Sequence, residues 1–355
     1  MDAKSTDNDQ RFVMKKTARA PANIAFIKYW GKQDERLRLP LNPSISINLS
    51  DVHTVTTVEF SPDYPEDVVE IRMQNTTYKN SLQRNVVGEE TIRKSEQERV
   101  VAHLNRIRKI ARMRLSAKVV SANNFPSSSG VASSASGFAA LTVAAAAAAG
   151  LKLSERELTI LARMGSGSAC RSIPDGFVMW EAAATSEESY AYSLFPESYW
   201  DIRDIVVIVA RHMKEVPSTE GMRKAGSSPL LPGRIRGVTQ KIGLLKRALE
   251  KRDFPTLGRI IEEDSVSMHA VMVTQDPPVF YWNDATITVI RAVSAWRDNG
   301  LPVYATLDAG PNVHVMCEGK DEEKVTQKIT DILGVQQIII NHPAKGAHFI
   351  DGHLF

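Results

Sequence analysis

The sequence predicts a two-domain chain of mixed α and β structure, an α+β protein, and three observations carry that expectation. Its 355 residues are more than one hydrophobic core usually serves, so about two domains are expected. Strand-type segments crowd the beginning and recur after residue 200, with helical periodicities between and after them. A polar stretch with Pro196 and Trp200 separates the two strand-rich starts, which places a junction near residue 200. The expected division is a loose polar tail over 1–12, a first domain over 13–200 and a second over 201–355.

The elements follow in order. Ala22 to Tyr29, Ser44 to Leu49 with its Ile45/Ile47/Leu49 alternation, and the Thr- and Val-rich His53 to Phe60 read as strands. From Ser95 to Arg114, Val101, Leu104, Ile107 and Ile110 recur at helical spacing. A strand at Ala117 to Ser121 leads through a Pro/Ser/Gly loop into a buried alanine-rich helix, Phe138 to Leu151, which is shorter than the ~20 residues of a membrane span. Glu155 to Arg163 reads as a helix. In the second half, strands are expected at Asp204 to Ala210, Val303 to Leu307, Val313 to Cys317 and Gln337 to Ile340. Helices are expected at Pro232 to Lys251 and Ala285 to Asn299, an order that suggests an α/β sandwich.

Composition excludes several classes. Apolar residues make up 43% and charged residues 24%, as in soluble globular proteins and unlike disordered chains. The net charge of +3 is too small to argue for nucleic acid. The Arg106/Arg108/Lys109/Arg112/Arg114 cluster reads as a solvated helix face, because no aromatics are interleaved to stack on bases. Cys170 and Cys317, the two cysteines, form no Cys-x-x-Cys pair or cysteine/histidine cluster, so neither zinc nor a disulfide framework is expected and no metal-ligating set is assigned. The first 20 residues lack the apolar core of a secretory signal, and a cytoplasmic protein without membrane partners is expected.

Four segments could carry chemistry. Asn124 to Ser134 is a loop of small and hydroxylic residues between a strand and a helix. Such a loop lets backbone N–H groups and a helix N-terminus converge on phosphate, and its serines could reach magnesium. No Gly-Lys-[Ser/Thr] follows it, so a Walker loop is excluded, and composition leaves phosphate binding and a helix-capping turn equally open. Gly165 to Ser172 sets small residues beside Arg171, whose planar fork suits a carboxylate or phosphate, against the alternative of a helix-end turn with a solvated arginine. Lys28 and Lys32 flank an aromatic pair and could aim at one anion or simply be solvated. Asp308 follows an apolar strand in Asp-Ala-Gly-Pro-Asn, a position that suits a catalytic carboxylate or an Asx turn. Cys170 reads as a packed small hydrophobe, and His269, among apolar neighbours in a helical stretch, as a core or supporting histidine outside the catalytic set.

In this order, Ala20-Pro21-Ala22-Asn23-Ile24-Ala25, Lys28-Tyr29-Trp30-Gly31-Lys32, Asn42 to Ser46, Asn124 to Ser134, Ser166 to Ser172, Ser218 to Met222, Met268-His269-Ala270 and Asp308 to Asn312 resemble the mevalonate diphosphate decarboxylases of the GHMP kinase superfamily. The resemblance runs over roughly residues 17 to 318. It implies an N-terminal domain related to a ribosomal-protein fold, a C-terminal ferredoxin-like domain, and a cleft between them for ATP and substrate. It also implies a homodimer. The family reaction converts mevalonate 5-diphosphate and ATP, with magnesium, into isopentenyl diphosphate, ADP, phosphate and carbon dioxide.

By that resemblance Asp308 matches the catalytic aspartate that orients or deprotonates the tertiary hydroxyl, Lys28 the lysine that keeps it ionised, Arg171 the grip on the substrate carboxylate, and Asn23 a support of the catalytic centre. Tyr29, Lys32, Ser166, Gly167, Ser168, Ser218 and Met222 match positions around the substrate. Ser127, Ser128, Ser129, Gly130, Val131, Ala132, Ser133 and Ser134 match the nucleotide phosphate loop, with Ser133 or Ser134 as candidates for contact with the magnesium that ATP carries.

Departures from the family pattern bear on the substrate. Ser218-Thr219 stands where some bacterial members have Ser-Arg, Glu215 where they have a lysine, Glu220 adds a nearby negative charge, and Asp175 replaces a common glycine. A weaker positive field would suit mevalonate 5-phosphate, the first alternative to the diphosphate. A GHMP small-molecule kinase that stops at phosphorylation is the second, and a carboxylate clamp such as Arg171 is superfluous to it. An RNA-binding module built on the arginine-rich helix is a rival of another class, disfavoured by the low net charge.

Overall fold

The computed structural model describes residues 15–73, 94–125, 133–210 and 216–355. The expected tail over 1–12, the phosphate-loop residues Ser127 to Ala132 and Glu215 lie outside the described residues.

The first half comprises β1 (Lys16–Ile27), β2 (Lys32–Asp34), β3 (Leu39–Pro40), β4 (Ser44–Ser61), β5 (Val68–Met73), α1 (Lys94–Ala111), β6 (Ser116–Asn123), α2 (Ser133–Ala148), α3 (Glu155–Gly165), a 3-10 turn (Gly167–Ser172), β7 (Phe177–Trp180) and β8 (Ala191–Phe195). The second half comprises β9 (Ile202–Ile208), α4 (Ser218–Arg223), α5 (Leu231–Lys251), α6 (Phe254–Thr274), α7 (Asp284–Asp298), β10 (Tyr304–Thr306), β11 (Val313–Glu318), α8 (Glu322–Thr330), β12 (Gln337–Asn341) and β13 (His348–Phe349). Among the described residues no helix is long and apolar enough to cross a membrane.

The first sheet has seven strands in the order β13-β1-β4-β6-β5, with β7 on the Ser44–Ile47 end of β4 and β8 beyond it. β4 corrects the expectation of two separate strands. Polar Ser50 and Asp51 do not break it, because a register shift between Pro21 and Asn23 in β1 lets the pair bend together. Asp51 N–H also donates to the Asn341 side chain at 2.9 Å. Leu104, Ile107, Phe138, Leu141 and Leu161 from α1, α2 and α3 pack against Val58, Phe60 and Val119 on one face of this sheet. The alanine run of α2 is buried, and its small side chains let the helix lie close on β1 and β4. Arg108 turns inward from the basic cluster, pairing with Asp67 and lying 5.5 Å from the Phe60 ring.

The second sheet is antiparallel in the order β10-β11-β9-β12. Its run Ile205 to Val209 is apolar throughout because both faces are covered. Ile205 and Val207 meet Val289, Val293, Val325 and Ile329 of α7 and α8. Val206 and Ile208 meet Leu245, Leu249 and Ile261 of α5 and α6, and the same cluster reaches Phe26 and Ile45 of the first sheet. One continuous core therefore joins the halves, and helices α5 and α6 lie in it. The helical stretch expected around His269 is part of α6, while α8, β5, β7 and β8 are too short to show a period, and β13 returns to the first sheet, pairing His348 with Arg19.

α6 approaches β10 across Gly258, where an added Cβ would lie 2.0 Å from the Tyr304 ring. Because β10 runs directly into Asp308, this contact sets the distance between α6 and the cleft. Gly258→Ala is therefore expected to destabilise the fold by about 1–3 kcal/mol through overpacking, measured by urea unfolding, despite alanine's better helix propensity.

Candidate active site

β1 ends one residue before Lys28, and the chain is held there by its backbone. Lys28 N–H donates to Asp264 Oδ2 at 2.7 Å, and its carbonyl accepts from Arg234 Nη2 at 3.2 Å and from Asn42 Nδ2 at 3.1 Å. Asp264 and Arg234 form a buried bidentate pair, with Arg234 Nη1 to Oδ1 at 3.0 Å and Nη2 to Oδ2 at 2.9 Å. Neither was singled out from the sequence, yet a signal was there. Asp264 falls in the apolar stripe Leu257, Ile261, Met268 of α6 and Arg234 beside Leu231 and Val238 on α5, all of them buried. A charge on a buried stripe needs a partner.

With its backbone fixed, the Lys28 side chain reaches Asp308, Nζ to Oδ1 at 2.8 Å, and is itself 1% exposed. Burial pushes the Lys28 ammonium down and the Asp308 pair pushes back. Burial would raise the Asp308 carboxyl, but Lys28, His314 and Arg171 outweigh it and hold the group below the usual aspartate range. The loop carrying Asp308 is pinned at both ends. Ser265 Oγ accepts from Leu307 N–H at 2.9 Å, and Asn312 Oδ1 accepts from Val209 N–H at 2.8 Å. Asp308 itself remains partly exposed.

Arg171 lies in the 3-10 turn after α3 and is 3% exposed. Its guanidinium donates to Asn23 Oδ1 through Nε and Nη2 at 3.3 and 3.1 Å and to Ser44 Oγ through Nη1 at 2.7 Å. No carboxylate lies within ion-pair distance among the described residues. Asn23 is aimed by its own amide, which donates to Ser168 O at 3.1 Å and Ser172 Oγ at 2.8 Å. A buried cation satisfied only by neutral acceptors stands ready for an anion.

Lys28, Tyr29, Lys32, Ser133, Ser134, Ser166, Gly167, Ser168, Arg171, Ser218, Met222 and Asp308 line one cleft, so twelve of the sequence-predicted positions are brought together. Asn23 stands behind Arg171 rather than in the wall. Gly167 is required there, because a Cβ would sit 2.7 Å from the Tyr29 ring. Tyr29 packs edge-on against Trp180 at 4.7 Å. Ser133 and Ser134 open α2, and Ser134 Oγ lies 3.2 Å from Ser166 Oγ. Those hydroxyls, at a helix start facing the Lys28–Asp308 pair, are donors of the kind that join a magnesium ion whose other ligands are phosphate oxygens.

Two residues that could have weakened the positive field do not line the cleft. Glu220 is exposed, and Asp175 accepts from Gly346 N–H at 2.7 Å. Cys170 is buried with its thiol pushed up to about 12 by desolvation, a packed thiol rather than a nucleophile. His269 accepts from Trp282 Nε1 at 3.3 Å, and burial followed by the Lys28 charge holds it down to about 3, so it is neutral.

The two-domain architecture, with its cleft between a hydroxyl-rich helix start and an aspartate–lysine pair, is the GHMP kinase fold, a class that transfers the terminal phosphoryl group of ATP. A family model described as the diphosphomevalonate decarboxylase-like N-terminal domain matches residues 20–191, and one described as the mevalonate 5-diphosphate decarboxylase C-terminal domain matches residues 204–349. The diphosphomevalonate decarboxylase of Aspergillus fumigatus is 38% identical over 91% of this chain and 82% of its own length. The mevalonate diphosphate decarboxylase structure from Staphylococcus aureus is 34% identical with a TM-score of 0.86, covering 96% of this chain and 98% of its own. A structure from Enterococcus faecalis, described as showing mevalonate diphosphate mediated ATP binding by the same enzyme, is 33% identical with a TM-score of 0.84, covering 96% and 100%. The chain belongs to the mevalonate diphosphate decarboxylase family.

Arg234→Ala removes the bidentate partner of the buried Asp264 and leaves it only Lys241, at 3.7 Å. A loss of about 3–5 kcal/mol is expected, read by denaturant unfolding, together with a fall in turnover in whatever folded protein remains, because Lys28 loses its anchor.

Proposed function

We propose that the chain catalyses ATP-dependent decarboxylation of mevalonate 5-diphosphate to isopentenyl diphosphate, with ADP, phosphate and carbon dioxide as the other products. The observation that carries this reading is Arg171, a buried guanidinium without a carboxylate partner among the described residues, in the same cleft as the ion-paired Asp308. Phosphoryl transfer alone has use for Asp308 and none for a second, carboxylate-seeking cation.

In this reading the tertiary hydroxyl of the substrate sits at the exposed edge of Asp308, and the carboxylate of the substrate lies on Arg171. Asp308 accepts the hydroxyl proton as the oxygen bonds to the γ-phosphorus of ATP and the bond to ADP breaks. Lys28 keeps Asp308 anionic beforehand and offsets charge that develops on the phosphoryl oxygens. Phosphate then leaves carbon 3 with its electron pair. The bond to the carboxylate supplies the pair that becomes the alkene, and carbon dioxide is released. Arg171, itself fixed by Asn23 and Ser44, sets the orientation of the breaking bond. Magnesium, held by the nucleotide phosphates with Ser133 or Ser134, would neutralise phosphate charge when bound.

Tyr29, Lys32, Ser166, Gly167, Ser168, Ser218 and Met222 form the rest of the substrate wall in this proposal. Ser127 to Ser134 form the nucleotide phosphate loop, and a domain division near residue 200 applies to all but the C-terminal β13, which returns to the first sheet. A homodimer, supported by the family resemblance alone, and a reducing, cytoplasmic compartment, which two buried unpaired thiols suit, complete it.

Incubation with ATP-magnesium and mevalonate 5-diphosphate should release carbon dioxide and ADP in equal amounts. ADP without gas would leave a kinase. Asp308→Asn keeps the shape but cannot take a proton, and should lower kcat by on the order of 10²-fold or more while ATP still binds. Near-normal turnover in that variant would reduce Asp308 to a turn residue.

A further inference from the structure

Arg38 was not among the residues picked out from the sequence, and it lines the same cleft as Tyr29 and Lys32. Its backbone is left-handed, φ 52°, as are those of Arg112 and Arg252 just after α1 and α5. The turn that imposes it is fastened from three sides. Leu37 N–H donates to Asp34 Oδ1 at 2.6 Å, and the Leu37 carbonyl accepts from the buried Arg163 Nε at 3.1 Å. The Arg38 Nε donates to the Met164 carbonyl at 3.2 Å. That last bond uses the side of the guanidinium nearest the chain and leaves both Nη groups without a hydrogen-bond partner among the described residues.

The charge is also unneutralised. Lys28 has Asp308 and Lys32 has Glu35, at 2.8 and 2.6 Å. Arg38 has no carboxylate within ion-pair distance among the described residues, while Lys32, Arg99 and Arg106 all lie near enough for their charges to oppose it. Guanidinium nitrogens unpaired among the described residues, beside Lys32 in the wall of one cleft, make a field for a multiply charged anion. Arg171 shares the lack of a carboxylate partner, so the cleft offers two separate arginines to two anionic ends.

We infer that Arg38 is a specificity-determining residue that binds the outer phosphate of the substrate's phosphorylated end beside Lys32, so that this cleft discriminates a diphosphate from a monophosphate. The inference rests on the decarboxylase reading of the site. It also answers the absence of an arginine after Ser218, since Arg38 brings the missing charge from the opposite strand connection.

Arg38→Asn is the informative variant, because asparagine tolerates a left-handed backbone, and Arg38→Lys loses the same Nε bond to the Met164 carbonyl, so any effect of that bond on the turn is common to both. Arg38→Lys restores charge without the fork. Titration calorimetry of each protein with mevalonate 5-diphosphate and with mevalonate 5-phosphate, at equal ionic strength, reads the discrimination directly. Arg38→Asn should weaken the diphosphate by about 10- to 100-fold and the monophosphate by no more than about threefold, the range lost with a charge-assisted hydrogen bond. Arg38→Lys should recover part of the diphosphate affinity, with ATP affinity unchanged and the same Tm in the two variants. Equal weakening of both ligands, no weakening of either, or a loss confined to ATP would overturn the inference. Carbon dioxide release by the unaltered protein is measured alongside. Its absence overturns the decarboxylase reading, whereas its presence with an unchanged ligand ratio overturns only the role of Arg38.

Discussion

The Asp264 carboxylate is the point on which the cleft depends. It lies fully buried on α6, accepts both arms of Arg234 from α5, and still accepts the backbone N–H of Lys28 at the end of β1. A carboxylate in that position is costly unless every lone pair is used. Satisfying it leaves the end of β1 one place to sit, against the helices of the second half. The Lys28 side chain is therefore aimed by an interaction that spans more than two hundred residues of sequence and ties the first sheet to the helices of the second half.

The electrostatics of the cleft follow from that placement. Burial pushes Lys28 toward neutrality and Asp308 toward protonation, and at 2.8 Å each favours the charged form of the other. Arg171 is treated differently, given amide and hydroxyl acceptors instead of a carboxylate. In the proposed reaction the pair and the lone cation serve different purposes: the first holds a base ready, the second leaves a charge to be completed by an anion from outside. A substrate that carries its carboxylate to Arg171 and its hydroxyl to Asp308 meets both conditions at once, and the cation-rich wall at Lys32 and Arg38 is left for its phosphate end.

Much of this was legible in the sequence. The strand leading to Lys28, the turn at Asp308 and the small residues around Arg171 each had a local pattern, and their order along the chain carried the family resemblance. What escaped was non-local or disguised. Asp264 follows two glutamates, and what sets it apart from them is its place on the buried stripe of α6 opposite Arg234. Arg38 sits in a polar turn whose composition gives no hint of φ 52°. Strand β4 looked broken at Ser50 because its continuity is supplied by a register shift in its neighbour. Such features depend on partners tens or hundreds of residues away, which no window of local sequence contains.

The account turns on the claim that Lys28 is what keeps Asp308 ionised against its own burial, and the pH dependence of kcat/KM for mevalonate 5-diphosphate in Lys28→Met tests it most directly. In the unaltered protein the Asp308 pKa is depressed, so the carboxylate persists as pH falls below the ordinary aspartate range. Removing the ammonium leaves desolvation, the largest single influence on that carboxyl, without its main counterweight, and its pKa must rise. The residual activity of Lys28→Met should therefore show its acid limb at higher pH than the unaltered protein, with the substrate's own ionisations common to both. An acid limb that stays where it was, with activity lowered uniformly at every pH, would contradict the claim and assign Lys28 to phosphate binding alone.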